Sequence, residues 1–244
     1  MTERYFGKAA TFAALLFLLL NATSSAYASI SVSPVRLDLG TNHDKDVIRV
    51  SNLEGGQKSY QVEVVSWSQS DGEPEVYAPT EALLAVPPLF TLNPGDDQLV
   101  RVGMLEPADP DTEKSYRVFI TELEPPQPET ASSGVSMRLQ IGVPVFVAPE
   151  SAAHATFDMV DIEHVGDKLF VRFGNNGNTH VKVSEVRYQS PGLEDEVVTP
   201  LAAYVLPGQT GLLPVPAPGG RPVGKVTVVT DTLGVLEYEL PGAD

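Results

Sequence analysis

Residues 135–147 read V-S-M-R-L-Q-I-G-V-P-V-F-V. Val135, Met137, Leu139, Ile141, Val143 and Val145 occupy every second position, a period that puts all six on one face of a β-strand. Ser136, Arg138, Gln140 and Gly142 between them are small or polar. Pro144 cannot donate a ladder hydrogen bond, so the stretch reads as an edge strand. An apolar row on an exposed edge invites aggregation unless something pairs with it. Two readings follow: the row covers the domain's own core, or it is offered to another chain.

Outward from this strand, the whole chain reads as β-structure. Its 20 Gly and 21 Pro punctuate short, Val-rich, alternating runs. Ser31 to Leu39 alternates, with Val35, Leu37 and Leu39 assigned to the core face and Arg36 to the other. Runs at Val47–Val50, Tyr60–Trp67, Leu89–Leu92, Gln98–Met104 and Tyr116–Leu123 follow, giving about seven strands before Pro149, the number expected of an immunoglobulin-like sandwich. Asn93-Pro94-Gly95-Asp96 places Pro and Gly at the two central positions of a type II turn. A Pro/Glu/Ser-rich loop, 124–134, leads into the organising strand. The pattern then restarts. V-R-F-G-N ending at Asn175 echoes I-R-V-S-N ending at Asn52, and Leu206-Pro207-Gly208-Gln209 echoes Leu92-Asn93-Pro94-Gly95. These echoes imply an all-β chain of two β-sandwich domains, residues 29–149 and 150–244.

Met1 to Ala28 combines basic Arg4 and Lys8, an apolar run from Ala9 to Leu20 and the ending Ala26-Tyr27-Ala28, the pattern of a cleaved secretory signal peptide. Cleavage removes two basic residues and one acidic, leaving 216 residues with 14 basic, 31 acidic and a net charge of −17. Such acidity disfavours nucleic acid, whose phosphates need Lys and Arg. With no cysteine, disulfides and thiolate metal sites are excluded. His43, His154, His164 and His180 lack the spacing of a metal pair and are expected on surfaces or turns. No Gly-x-Ser-x-Gly elbow or phosphate-binding loop occurs. Nothing therefore points to an enzyme, a cofactor, a metal or a small-molecule substrate. Trp67 is expected in a sandwich core.

S-P-V-R-L (33–37), P-P-L-F-T-L-N-P-G (87–95), Q-L-V-R-V (98–102), E-K-S-Y-R-V-F-I-T-E-L (113–123) and V-P-V-F-V-A-P (143–149), with weaker N-N-G-N-T-H-V-K-V (175–183) and V-L-P-G (205–208), stand in one order. In that order they resemble the periplasmic chaperones of the chaperone-usher pilus pathway, above all its archaic branch. The resemblance implies two immunoglobulin-like domains in a boomerang arrangement, residence in the periplasm, and pilus, fimbrial or coat subunits and an outer-membrane usher as partners. It also implies donor-strand complementation, in which the chaperone's edge strand closes a subunit's open core. On that reading Val135, Met137, Leu139 and Ile141 form the subunit-binding row, with Met137 and Leu139 central.

The family's familiar members hold the subunit's terminal carboxylate with an arginine on the first strand and a lysine near the end of the donor strand. Arg36 matches the arginine, whereas Pro144 stands where the lysine belongs. Arg101 and Arg117, expected on neighbouring strands, become the favoured anchors, with Arg138 a further cation and Arg36 partly shaping the cleft. The reading from another class is a secreted adhesin or carbohydrate-binding sandwich protein, which calls for an exposed aromatic cluster at one loop end.

Overall fold

The structure, a computed structural model, describes residues 30–70, 73–123, 138–165, 168–190, 196–215 and 224–239. The expected signal peptide, the loop at 124–134, and Val135 and Met137 lie outside the described residues.

Before Pro149 the described residues form ten strands: β1 (Ile30–Ser33), β2 (Leu37–Leu39), β3 (Lys45–Asn52), β4 (Lys58–Ser70), β5 (Glu73–Pro79), β6 (Leu83–Val86), β7 (Leu89–Leu92), β8 (Asp97–Met104), β9 (Lys114–Leu123) and β10 (Gln140–Val147). One sheet orders them β1-β3-β8-β6; the other orders them β2-β10-β9-β4-β5, with β7 also paired to β4. Leu37, Ile48, Val50, Tyr60, Val100, Val102, Val118, Ile120, Val143 and Val145 fill the space between the sheets. Each large aliphatic side chain buried there contributes about 1.5–3 kcal/mol.

Ten strands exceed the seven expected, for two reasons. β5 is interrupted by Pro and Glu and β6 is only four residues long, so neither alternates long enough to register. Ser31 to Leu39 is two strands, one in each sheet. The crossing at Pro34 breaks the alternation and leaves Val35 76% exposed, not in the core.

The second sandwich contains β11 (Asp158–Val165), β12 (Lys168–Gly174), β13 (Val181–Gln189), β14 (Glu196–Val205), β15 (Thr210–Val215), β16 (Lys225–Thr230) and β17 (Gly234–Glu239). Its sheets run β11-β12-β15 and β14-β13-β16-β17 around Phe157, Val171, Phe173, Val183, Val186 and Val226.

The two sequence echoes fold identically. The Asn52 amide donates to Gly56 O (2.7 Å) and Leu92 O (3.2 Å), and its Oδ1 accepts from Glu54 N. Asn175 repeats this with Thr179 O (2.8 Å), Val205 O (3.0 Å) and Gly177 N. Gly95 and Gly208, at φ 81° and 69°, turn the chain so that their N–H groups donate to the carbonyls of these same asparagines. Positive φ is what glycine supplies without steric cost. Both asparagines are fully buried. Asn52→Ala or Asn175→Ala therefore leaves two carbonyls and an amide without their side-chain partner, and urea denaturation is expected to show a loss of about 2–4 kcal/mol.

A third cluster, Trp67, Phe146 and Leu206 with Tyr77 and Tyr204, joins the two sandwiches. On β4 the even positions Tyr60 and Val62 face the first core, and the odd positions Val65 and Trp67 face away from it. Trp67 is buried, but against the second sandwich and not inside the first. The side chain of Gln69, two positions on, donates to Tyr204 O (2.8 Å) and accepts from Leu206 N (2.9 Å). His180 departs from the surface expectation as well. Its ring stacks on Phe146 at 3.6 Å, and its Nδ1 lies 2.8 Å from the buried Glu113 carboxylate, which also accepts from the His180 N–H. Asn178 donates to Asp111 O and Ala152 O, tying down the connection between the sandwiches.

Candidate functional site

The organising strand emerges as β10, and its two ends differ. Along its whole length it pairs antiparallel with β9, from Gln140 opposite Thr121 to Val147 opposite Lys114. On its other side β2 pairs in parallel with Val145–Val147 alone. Among the described strands, Gln140–Pro144 thus has a free edge. The edge expectation holds for this half of the strand and fails for Val145–Val147, which sit between two neighbours.

The apolar row divides at the same place. Val143 and Val145 are fully buried in the first core, and Ile141 packs against it from a half-buried position. Leu139 is 36% exposed. The row therefore divides within one strand: Val143 and Val145 are core, and towards Leu139, still hydrogen-bonded to Glu122 of β9, it grows more exposed beside the free edge. One parity serves both because the strand keeps its pleat along β9 while β2 ends.

The opposite face of this sheet forms the floor of a cleft between the sandwiches, with a volume of about 710 Å³, lined among others by Trp67, Glu75, Arg117, Pro144, Lys182 and Tyr204. Arg117 crosses this floor. Its guanidinium lies 4.2 Å from the Trp67 ring centre and 5.8 Å from that of Tyr77, and Nη2 meets Glu75 Oε1 at 2.7 Å. Arg117 Nε is buried without a hydrogen-bond partner. Burial, and then the hydrogen bond to Glu75, push the Tyr77 phenol up to about 12.

Gly142 makes room for this arrangement. A Cβ there would lie 3.0 Å from both Arg117 Cδ and Phe119 Cε1. Gly142→Ala is expected to shift the guanidinium off Trp67 at a cost of about 1 kcal/mol. Trp67 is the sole tryptophan, so its emission reads the shift directly. Unchanged emission would mean that the missing side chain is not what seats Arg117.

Arg36 faces away from the core, as alternation suggests, and reaches across the joint: Nε to Asp38 at 3.0 Å and Nη1 to Asp231 at 3.2 Å. Burial weakens its charge, but Asp38, Tyr204 and Asp231 more than offset that and hold its pKa above the ordinary arginine value. The Tyr204 phenol, raised chiefly by burial, is drawn back by Arg36, its hydrogen-bond partner, and by Arg117.

Arg101 is elsewhere. It is exposed on β8, opposite Val47 and Val86 in the other sheet. Arg101 and Arg117 are thus not on neighbouring strands, because the connection from β8 to β9 crosses between sheets. Arg138 is exposed just ahead of β10. The cation that sequence reasoning missed is Lys182 on β13, whose Nζ lies 5.9 Å from the Tyr204 ring and which has no acidic partner among the described residues. Its pairing opposite Tyr204 on β14, with Tyr204 packed at the joint between the sandwiches, brings it to the cleft, and the motif that contains it, N-N-G-N-T-H-V-K-V, does not signal that. No cluster of potential metal ligands occurs among the described residues.

A family model for pili and flagellar-assembly chaperones, PapD N-terminal domain, matches residues 29–153. The chain is similar in structure to the CsuC–CsuE chaperone–tip adhesion subunit pre-assembly complex from archaic chaperone-usher Csu pili of Acinetobacter baumannii. The identity is 17%, the TM-score 0.62, and the match covers 86% of this chain and 98% of that one. It is also similar to the Salmonella enterica SafA pilin–SafB chaperone complex (19% identity, 89% and 99% covered, TM-score 0.59) and to the E. coli chaperone DraB (19%, 87% and 97%, 0.54). At these identities the likeness is one of fold. No curated protein matches significantly.

Proposed function

The chain belongs to the pili and flagellar-assembly chaperones, and from that premise we propose that it receives exported pilus subunits by strand donation and passes them to an outer-membrane usher. The observation that carries this reading is the free edge at Gln140–Pro144, continued by an exposed Leu139. Backbone groups along such an edge pair with a subunit strand whatever its sequence, and the apolar row closes the subunit's core. The row comprises Val135, Met137, Leu139 and Ile141. In the archaic Csu complex and the SafA–SafB complex, chaperones of the same fold are held with a tip adhesion subunit and a pilin.

Beside the edge, the cleft holds the subunit's terminal carboxylate. Arg117 is the anchor, preset by its aromatic neighbours for bidentate contact. Lys182 supplies the second charge, and Arg36 joins the sandwiches and shapes the cleft. Arg101, on the far sheet, takes no part. Transfer to the next subunit proceeds by strand exchange, so the protein works without catalysis, cofactor or nucleotide. Its acidic mature chain acts in the periplasm after the 1–28 signal peptide is removed, with residues 29–149 and 150–244 as its domains.

Periplasmic co-expression with a pilus subunit tests the reading. A soluble one-to-one complex is expected, and a subunit degraded as fast with the chaperone as without it would contradict it.

A further inference from the structure

We propose that Glu75 is a built-in competitor for the carboxylate anchor: it occupies Arg117 in the free chaperone, is displaced when the subunit's terminal carboxylate arrives, and speeds release by returning. The inference rests on the reading of Arg117 as the anchor.

Three observations carry it. First, Glu75 presents to Arg117 the same chemical group that a chain terminus presents, a carboxylate at 2.7 Å from Nη2. The fork of a guanidinium binds carboxylates in its plane. Glu75 and an incoming terminus therefore compete for that nitrogen and its charge.

Second, the two partners are unequally held. The Arg117 side chain is 14% exposed and is fixed between Trp67 and Tyr77, with Gly142 beneath it. The Glu75 side chain is 50% exposed. It sits on β5, which pairs with β4 alone, and that pairing is irregular between Ser68 and Ser70. Displacement therefore moves Glu75 and leaves Arg117 in place. A half-exposed carboxylate is largely hydrated already, so turning it into water costs little.

Third, the present pairing leaves Arg117 incompletely satisfied. Its Nε is buried without a partner although Nη2 is engaged. A ligand able to use both nitrogens satisfies the fork better than Glu75 does. Tyr77 also hydrogen-bonds Glu75, which keeps the competitor close. An anchor opposed in this way binds firmly enough to orient a subunit and still lets it exchange.

The test uses the full chain and a synthetic peptide of alternating Val and Thr, made once with a free C-terminal carboxylate and once as the amide. Both are titrated while the emission of Trp67, which lies against the anchor, is followed. The ratio of the two affinities isolates the carboxylate from strand pairing. Glu75→Gln keeps the size and the hydrogen bond to Tyr77 but removes the charge. It is expected to enlarge the preference for the carboxylate roughly 1.5- to fivefold, the range that a half-exposed ion pair allows, with an unchanged melting temperature. Arg117→Gln is expected to abolish the preference, and Arg117→Lys to keep part of it. An unaltered or reduced preference in Glu75→Gln, with the preference lost in Arg117→Gln, would overturn the competitor and leave the anchor standing. A preference that survives Arg117→Gln would remove the anchor and the competitor together.

Discussion

Leu139→Asp is expected to abolish recovery of a bound subunit while the chaperone keeps its own cooperative melt, and Val143→Asp, four residues along the same face, is expected to unfold the first sandwich. The contrast follows from burial. Leu139 is exposed in the free protein, so an aspartate there stays hydrated until a subunit tries to close over it. The complex then loses the contact of one large aliphatic and must also desolvate a charge. Together these amount to about 4 kcal/mol or more, roughly a thousandfold in affinity. Val143 is 1% exposed and packs in the first core, where an unpaired carboxylate exceeds what a marginally stable domain tolerates. Co-purification with a subunit and thermal melting of the free chaperone measure the two effects separately. If Leu139→Asp instead destroys the melt, the exposed half of the row is core and strand donation is wrongly assigned.

The second large effect is expected in the cleft. With Arg117 as the proposed anchor, its removal is expected to cost subunit binding about 2–5 kcal/mol, the range for a desolvated, hydrogen-bonded charge pair. Lys182→Ala adds to this, since no acid among the described residues neutralises that lysine. Arg101→Ala, on the outer face of the other sheet, is expected within about 0.5 kcal/mol of the parent. Arg36→Ala breaks the exposed link to Asp231 and is expected to lower stability by about 1 kcal/mol or less. Subunit retention compared across the four variants, with melting monitored, separates these roles. Loss at Arg36 alone, with Arg117 and Lys182 unaffected, would restore the familiar first-strand anchor.

Period-2 alternation was enough to read the β-class, the two repeated sandwiches and the core face of β10, because those depend on local pattern. The Asn52 and Asn175 echoes were legible for the same reason: a buried amide followed by a glycine turn leaves a local signature. What stayed hidden is what the path between sheets decides. Val35 looked like core because alternation does not reveal the crossing at Pro34. Arg101 and Arg117 looked like neighbours because their strands are consecutive, yet β8 and β9 lie in opposite sheets. Trp67 is buried and His180 partly buried as part of the joint between sandwiches, and Lys182 reaches the cleft from the second of them. No composition or spacing within either half encodes those contacts. The aromatic side chains that an adhesin would display at a loop end are concentrated elsewhere. Trp67, Tyr77, Phe146 and Tyr204 meet at the joint, and the exposed large hydrophobics among the described residues are all aliphatic.

Amide hydrogen exchange along Leu139–Val143, with and without a bound subunit, tests strand donation most directly. Free, this segment has β9 on one side only among the described strands, so its outward amides are expected to exchange as open-edge amides do. With a subunit bound they are expected to become protected to the level of the β9-facing amides, because a second strand now accepts their hydrogen bonds. Protection confined to other surfaces, with these amides exchanging at the same rate in both states, would contradict donation by β10.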